Sequence, residues 1–364
     1  MNQRERFRAV MSYQPFDRVP VWYFGAWHET WLRWRAEGLA EGQDIAAATG
    51  MDPVWEEGMW DVQGLVNHRP LTDAAPLTLE ETDTYRIVRG PLGDVAQHSK
   101  AGSSIPHTLE HALKPTPESW TKFKAFLDSH DPKRFPAGWQ AKAQDFNRRE
   151  HVTTFMAGSL YGWPREWLGV EQMSYLAYDS PALLEAILDH LTEFFITLHR
   201  PVLEKASFDF AYFFEDCCFN TGPLLSPDIY RRHFDKYYRR LIAFYREMGI
   251  PFVLIDSDGK TDALIPCWLE SGFDIFFPIE IGTWKADPID LRRRFGRRLR
   301  MMGGVNKHII PQGKAAVRAE LQRLKPLVQE GGFIPLPDHR IPPDCSLDDF
   351  RRYVEVFREV LAPF

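Results

Sequence analysis

From residue 151 onward, short apolar runs alternate with segments of helical period, and no other feature limits the accessible folds so strongly. Residues 151–158 (HVTTFMAG), 208–216 (FDFAYFFED), 251–258 (PFVLIDSD), 273–280 (FDIFFPIE), 299–305 (LRMMGGV) and 333–339 (FIPLPDH) read as strands. Residues 181–206, 227–248 and 261–271 carry the helical pattern between them. Strands apolar on both faces belong to a parallel sheet covered by helices on each side. An open doubly wound sheet and a closed barrel both meet that condition. No GxGxxG follows a strand, which removes the main mark of a dinucleotide-binding open sheet. The earlier run 19–24 (VPVWYF) brings the strand count toward eight. The expectation is one α/β domain over residues 1–364, a (β/α)8 TIM barrel. An N-terminal helix over 3–12 and a hairpin over 85–95, turning at Gly90 to Gly93, elaborate it as an insertion within about residues 80–100.

Composition excludes some classes of partner. A formal charge of −6 gives no electrostatic case for nucleic acid or an anionic membrane. No run approaches the roughly 18 apolar residues of a membrane span, and the opening MNQRERF reads as a charged helix start, not a signal peptide. The four cysteines (Cys217, Cys218, Cys267, Cys345) show no CxxC spacing and no disulfide framework. A reduced, cytoplasmic enzyme acting on a small molecule is the simplest reading, with a homodimer open. Twelve tryptophans suit either an aromatic-walled pocket or a packed core.

The apolar strands end in polar or Gly-rich tips, which a barrel gathers at one working face. Four of the six tips are acidic: Glu215-Asp216, Asp256-Ser257-Asp258, Glu280 and Asp338-His339. Asp256 and Asp258, two apart on an extended strand, point to one side about 7 Å apart. Such a pair needs a cation, an arginine or a shared proton; alternatively Asp258 caps the helix at Thr261. Of the neighbours Glu215 and Asp216 only one faces inward. His339 joins Asp256 and Asp258 in a carboxylate–imidazole set suited to Zn, Mn or Fe, and Asp338 is placed to orient it. The loop after the 151–158 strand sets Tyr161 and Trp163 beside the cation Arg165, either a cradle for a carboxylated or aromatic ligand or a self-packed loop. Trp22, in the first strand, is a further candidate for substrate contact. Cys217 and Cys218 point opposite ways and read as packing.

Several motifs in order resemble the uroporphyrinogen decarboxylase-like superfamily: Arg4-Glu5-Arg6-Phe7 with Phe16-Asp17-Arg18-Val19-Pro20-Val21-Trp22, GPLLSP at 222–227, Asp256-Ser257-Asp258-Gly259, FPIE at 277–280, Gly303-Gly304-Val305 and GGFIPLPDHRIPP at 331–343. The resemblance runs from end to end and implies a (β/α)8 barrel, shared with corrinoid- and thiol-linked methyltransferases. Two departures matter. The decarboxylase carries an Arg-rich RQAGRY-like segment after its first strand; here residues 22–29 read WYFGAWHE, without those arginines. The methyltransferases bind zinc through a His-x-Cys-Gly tip and a later Cys, positions that fall on Asp256, Asp258 and His339.

With thiolates replaced, the resemblance implies a harder, carboxylate-rich site polarising an oxygen substituent rather than a thiol. The reading is a metal-assisted methyltransferase or demethylase for a small oxygenated or carboxylated substrate. Asp256, Asp258 and His339 hold the metal, Glu215 or Glu280 serves as acid/base, and a corrinoid protein or folate accepts the methyl group. One alternative is a metal-free decarboxylase or lyase in which Asp258 moves a proton. Another is a non-catalytic binding protein.

Overall fold

In the computed structural model, which describes residues 1–53, 55, 64–101 and 106–362, six apolar strands lie side by side in sequence order, every neighbouring pair parallel. They are β5 (Thr154–Gly158), β6 (Phe210–Phe214), β9 (Phe252–Asp256), β10 (Ile275–Ile279), β11 (Arg300–Val305) and β12 (Phe333–Pro337). Val253, Ile255, Phe276 and Met301 are all buried, and Phe276 stands opposite both Ile255 and Met301. Helices cross between strands and cover the outside. Pro181–Leu203 is typical: proline sits in its first turn, where no amide donor is needed, and Leu184, Ile187, Leu188, Leu191 and Phe195 bury one stripe.

Residues 19–24, expected as a strand, do not join the sheet ladder. The local reason is Asp52. Val21 donates its N–H to Asp52 Oδ2 (2.8 Å) and accepts the Asp52 N–H (3.1 Å), so its ladder groups are already engaged. The segment's end pairs with the chain four residues beyond β12. Ile341 donates to Gly25 O (3.0 Å), Trp27 donates to Ile341 O (3.2 Å), and Ala26 bridges Ile341 in parallel. On the far side, Thr154 of β5 donates to Trp55 O at 3.1 Å. The fold is of the (β/α)8-barrel class, with the segment at Gly25 to Trp27 lying beside Ile341 just beyond β12.

Aromatic side chains fill the interior. Trp55 meets Phe210, Tyr212 and Phe277, and Phe7 of the N-terminal helix Gln3–Met11 meets Phe210 and Phe252 at the N-terminal strand ends. Buried Asp209 fixes that plug through Arg4 (3.0 Å) and Arg8 (2.7 Å). With the floor closed, the opposite, C-terminal rim is the open end.

The expected hairpin is the centre of a larger unit. β1 (Leu77–Glu81), β2 (Tyr85–Arg89), β3 (Val95–Ser99) and β4 (His107–Glu110) form an antiparallel sheet in that order, with Gly93 donating to Gly90 O at the central turn. The outer strands escaped the sequence pattern because every residue in them is exposed, leaving no buried face to produce alternation. The helix expected over 227–248 is interrupted by one wide π turn, Tyr230–Phe234, before Asp235–Glu247. A small ribbon, β7 (Cys218–Phe219) with β8 (Gly222–Pro223), follows β6.

Behind the wall runs a buried chain of polar groups. Tyr245 donates to Ala157 O (3.1 Å), so its oxygen accepts from His199 Nδ1 (2.9 Å), and His199 Nε2 accepts from His68 Nδ1 (3.1 Å). Both imidazoles are neutral. Burial drives His199 down to about 3 and His68 well below its ordinary value. Unfolding restores ordinary basicity, so the stabilising contribution is complete above about pH 6.5 and declines as pH falls toward 3. In pH-dependent urea melts, His199→Phe is expected to flatten the loss of stability below pH 6.5 by about 1.4 kcal/mol per pH unit. An unchanged slope would exclude His199 as its source.

Candidate functional site

At the C-terminal rim one cavity of about 620 Å³ collects side chains that follow each of the six strands and one from the N-terminal segment. Arg165 comes from the helix after β5, Asp216 from the end of β6, Asp258 from that of β9 and Glu280 from that of β10. Lys307 follows β11, His339 follows β12, and Trp27 comes from the N-terminal segment.

Asp258, Glu280 and His339 converge. One ligand atom from each lies within 4.8 Å of the others, and His339 Nε2 is 3.2 Å from Asp258 Oδ2. Asp258 Oδ1 is buried and has no hydrogen-bond partner among the described residues. Glu280 accepts the Gly259 N–H through Oε2 at 2.6 Å. Only glycine suits that position: φ is +88° and a Cβ would stand 2.8 Å from Phe219 O. The His339 ring is set by Phe24 edge-on (5.3 Å) and by Trp27 (5.6 Å). Two carboxylates, one of them carrying the orphaned buried oxygen, and an imidazole make a three-residue donor set that fits a divalent cation of the Zn, Mn or Fe type.

Asp256 lies outside this group. It is the last residue of β9 and points into the barrel, where the Tyr212 hydroxyl donates to its Oδ2. Burial, and next the charge of Asp258, pushes its carboxyl well above the ordinary range. The two-residue repeat that would align Asp256 with Asp258 does not continue, because β9 ends at Asp256.

Glu215 also stands apart from the cavity lining. Fully buried, it accepts from Ser159 Oγ (2.8 Å) and from the N–H groups of Leu160 (3.1 Å), Tyr161 (2.8 Å) and Gly162 (3.1 Å). Its neighbour Asp216 takes the inward place by adopting φ +41°, and pairs with Arg165 at 2.7 Å. Burial raises the Asp216 carboxyl, Arg165 pulls it back, and Asp258 raises it again. Asp338 does not orient His339. Its Oδ2 accepts from Ile281 (3.0 Å) and Gly282 (2.8 Å), and its Oδ1 from Lys307 N–H (3.0 Å).

Of the expected substrate contacts, Arg165 alone reaches the cavity. Trp163 is packed between His68 and Phe195, Tyr161 against Phe234, and Trp22 against Phe7 with its Nε1 on Pro53 O (3.0 Å). Cys218 lines the cavity wall, while Cys217 sits 3.8 Å from Ser257 Oγ. Trp27 and Lys307 were absent from the sequence reading. Both were findable by position: Lys307 lies two residues beyond the Gly303-Gly304-Val305 tip, and Trp27 three residues beyond the expected strand 19–24.

Side chains gathered at the C-terminal rim of a parallel barrel define the working arrangement of barrel enzymes. Residues 166–360 match the family described as uroporphyrinogen decarboxylase (URO-D), more than half of the chain, and the protein belongs to that family of enzymes. No curated protein matches by sequence. Among solved structures, a methyltransferase from Methanosarcina mazei superposes with a TM-score of 0.60 over 99% of each chain, at 15% identity, which is a likeness of fold. Among the described residues no helix is long and apolar enough to cross a membrane.

Proposed function

We propose that this barrel is a metal-assisted methyltransferase or demethylase acting on a small oxygenated or carboxylated substrate. The observation that carries the reading is the convergence of Asp258, Glu280 and His339 within 4.8 Å, with one oxygen of Asp258 buried and left without a partner. Those three residues would hold the cation, and Glu280 thereby passes from acid/base to ligand. Bound there, a divalent ion supplies Lewis acidity toward a substrate oxygen. In the transfer, the bond between methyl carbon and substrate oxygen breaks with the oxygen keeping the electron pair. A nucleophile on the acceptor, a corrinoid protein or a folate, takes the methyl group.

The remaining side chains orient and shield. Gly259 N–H holds Glu280, Phe24 and Trp27 hold the His339 ring, and the Arg165–Asp216 pair closes the side next to β6. Carboxylates make a harder donor set than thiolates, so this reading favours oxygen over sulfur as the demethylated atom.

A second reading has its own support. The hydrogen bond between His339 Nε2 and Asp258 Oδ2 (3.2 Å) is also the geometry of an acid/base pair in a metal-free decarboxylase or lyase. Elemental analysis of protein purified without chelator separates the two. About one equivalent of zinc, manganese or iron is expected; absence of all three would favour the acid/base pair.

A further inference from the structure

The charges of the cavity do not balance once its internal pairs are matched. Arg165 and Asp216 pair at 2.7 Å, which matches the charge of Arg165 although its buried Nε has no hydrogen-bond partner among the described residues. Asp258 and Glu280 together match a divalent cation, with His339 as a neutral ligand. Lys307 is left over. Among the described residues its ammonium group pairs with no carboxylate, although it lines the cavity and is half-buried.

Its backbone is held firmly. Asp338 receives the Lys307 N–H on one carboxylate oxygen and the Ile281 and Gly282 N–H groups, next to Glu280, on the other. The lysine is thus carried by the same tie that positions the carboxylate end of the metal set. A compact ammonium charge on a four-carbon stem gains most from an anion that reaches it where water is partly excluded.

We propose that Lys307 is the substrate-binding cation and that the substrate is a small monocarboxylic acid, its carboxylate on Lys307 and its reacting oxygen toward Asp258, Glu280 and His339. This rests on the reading that those three residues hold a divalent cation. One unmatched positive charge selects one negative charge. A neutral analogue leaves the ammonium unpaired, and a dicarboxylate brings in a second charge for which the residues lining the cavity offer no second unpaired cation. Trp27 gives the wall a flat aromatic face, and about 620 Å³ accommodates a ligand with a single ring.

The test is calorimetric titration of the full chain, loaded with zinc, with benzoate, benzamide and terephthalate, on wild type, Lys307→Met and Lys307→Arg. Metal content is measured on the same samples. Benzoate is expected to bind wild type more tightly than either analogue. Lys307→Met should weaken it by about tenfold or more, Lys307→Arg by no more than about threefold, with metal content equal in all three. Undetectable benzoate binding to wild type, equal binding by Lys307→Met, or a preference for benzamide or terephthalate would overturn the proposal. If the protein takes up no metal, the metal reading fails by itself; a tenfold loss in metal-free Lys307→Met would still support the anion site.

Discussion

His339→Ala is expected to strip the cavity of its metal, lowering content after dialysis from about one equivalent to under a tenth, roughly, and abolishing activity in parallel. Loss of groups that merely orient a ligand costs about 10–100-fold in metal affinity, so removal of one of three ligands should exceed that range. Folding should change far less, by about 1–2 kcal/mol, because the ring packs mainly on Phe24 and Trp27 near the rim. Elemental analysis, an activity assay and a urea melt on one preparation check all three. Asp256→Asn is the control: it removes a carboxylate on Tyr212, outside the converging set, and should leave metal content intact. Full metal retention in His339→Ala would remove this residue from the ligand set and favour the acid/base reading.

Glu215→Ala should act through the fold. The substitution abandons four donors in a fully buried place: Ser159 Oγ and the N–H groups of Leu160, Tyr161 and Gly162. Each unsatisfied donor costs about 1–3 kcal/mol, and the sum is tempered by relaxation, so a net loss of about 3–5 kcal/mol is expected. Urea midpoints at constant m-value measure it. Zinc affinity of the folded fraction should remain within about threefold, since Glu215 belongs neither to the converging set nor to the cavity lining. A variant with wild-type stability and no activity would instead make Glu215 a participant in the chemistry.

The wall of the barrel was readable in the chain because full burial leaves a simple trace. β5, β6, β9, β10 and β12 are buried at every position or nearly so, and an unbroken apolar run is what such a strand looks like. Where burial is not the organising force the trace disappears. The exposed strands β1 and β4 show this, as does the segment around Val21, whose path is set by a side chain at Asp52.

The site was readable at the level of strand tips, not of individual side chains. Asp258, Glu280 and His339 were each marked by ending an apolar run. Which of two adjacent acids faces inward depends on one backbone angle, φ +41° at Asp216, for which neighbouring residue types give no cue. Tyr161 and Trp163 looked like ligand contacts because aromatic residues beside an arginine suit both a pocket and a packed loop. Here the ties to Glu215 pull that loop into the core.

Barrel enzymes commonly diversify by exchanging one rim loop while the others stay as they are. Asp338 restricts that freedom here. A single buried carboxylate reaches two rim loops at once, through Ile281 and Gly282 on one side and Lys307 on the other. The two loops are therefore one inheritable module rather than two. Because the donors are main-chain N–H groups, a graft of residues 281–284 alone, or 306–312 alone, that changes the backbone path strands one oxygen of Asp338. Engineering a new specificity onto this barrel means transplanting both loops together with the residue that joins them.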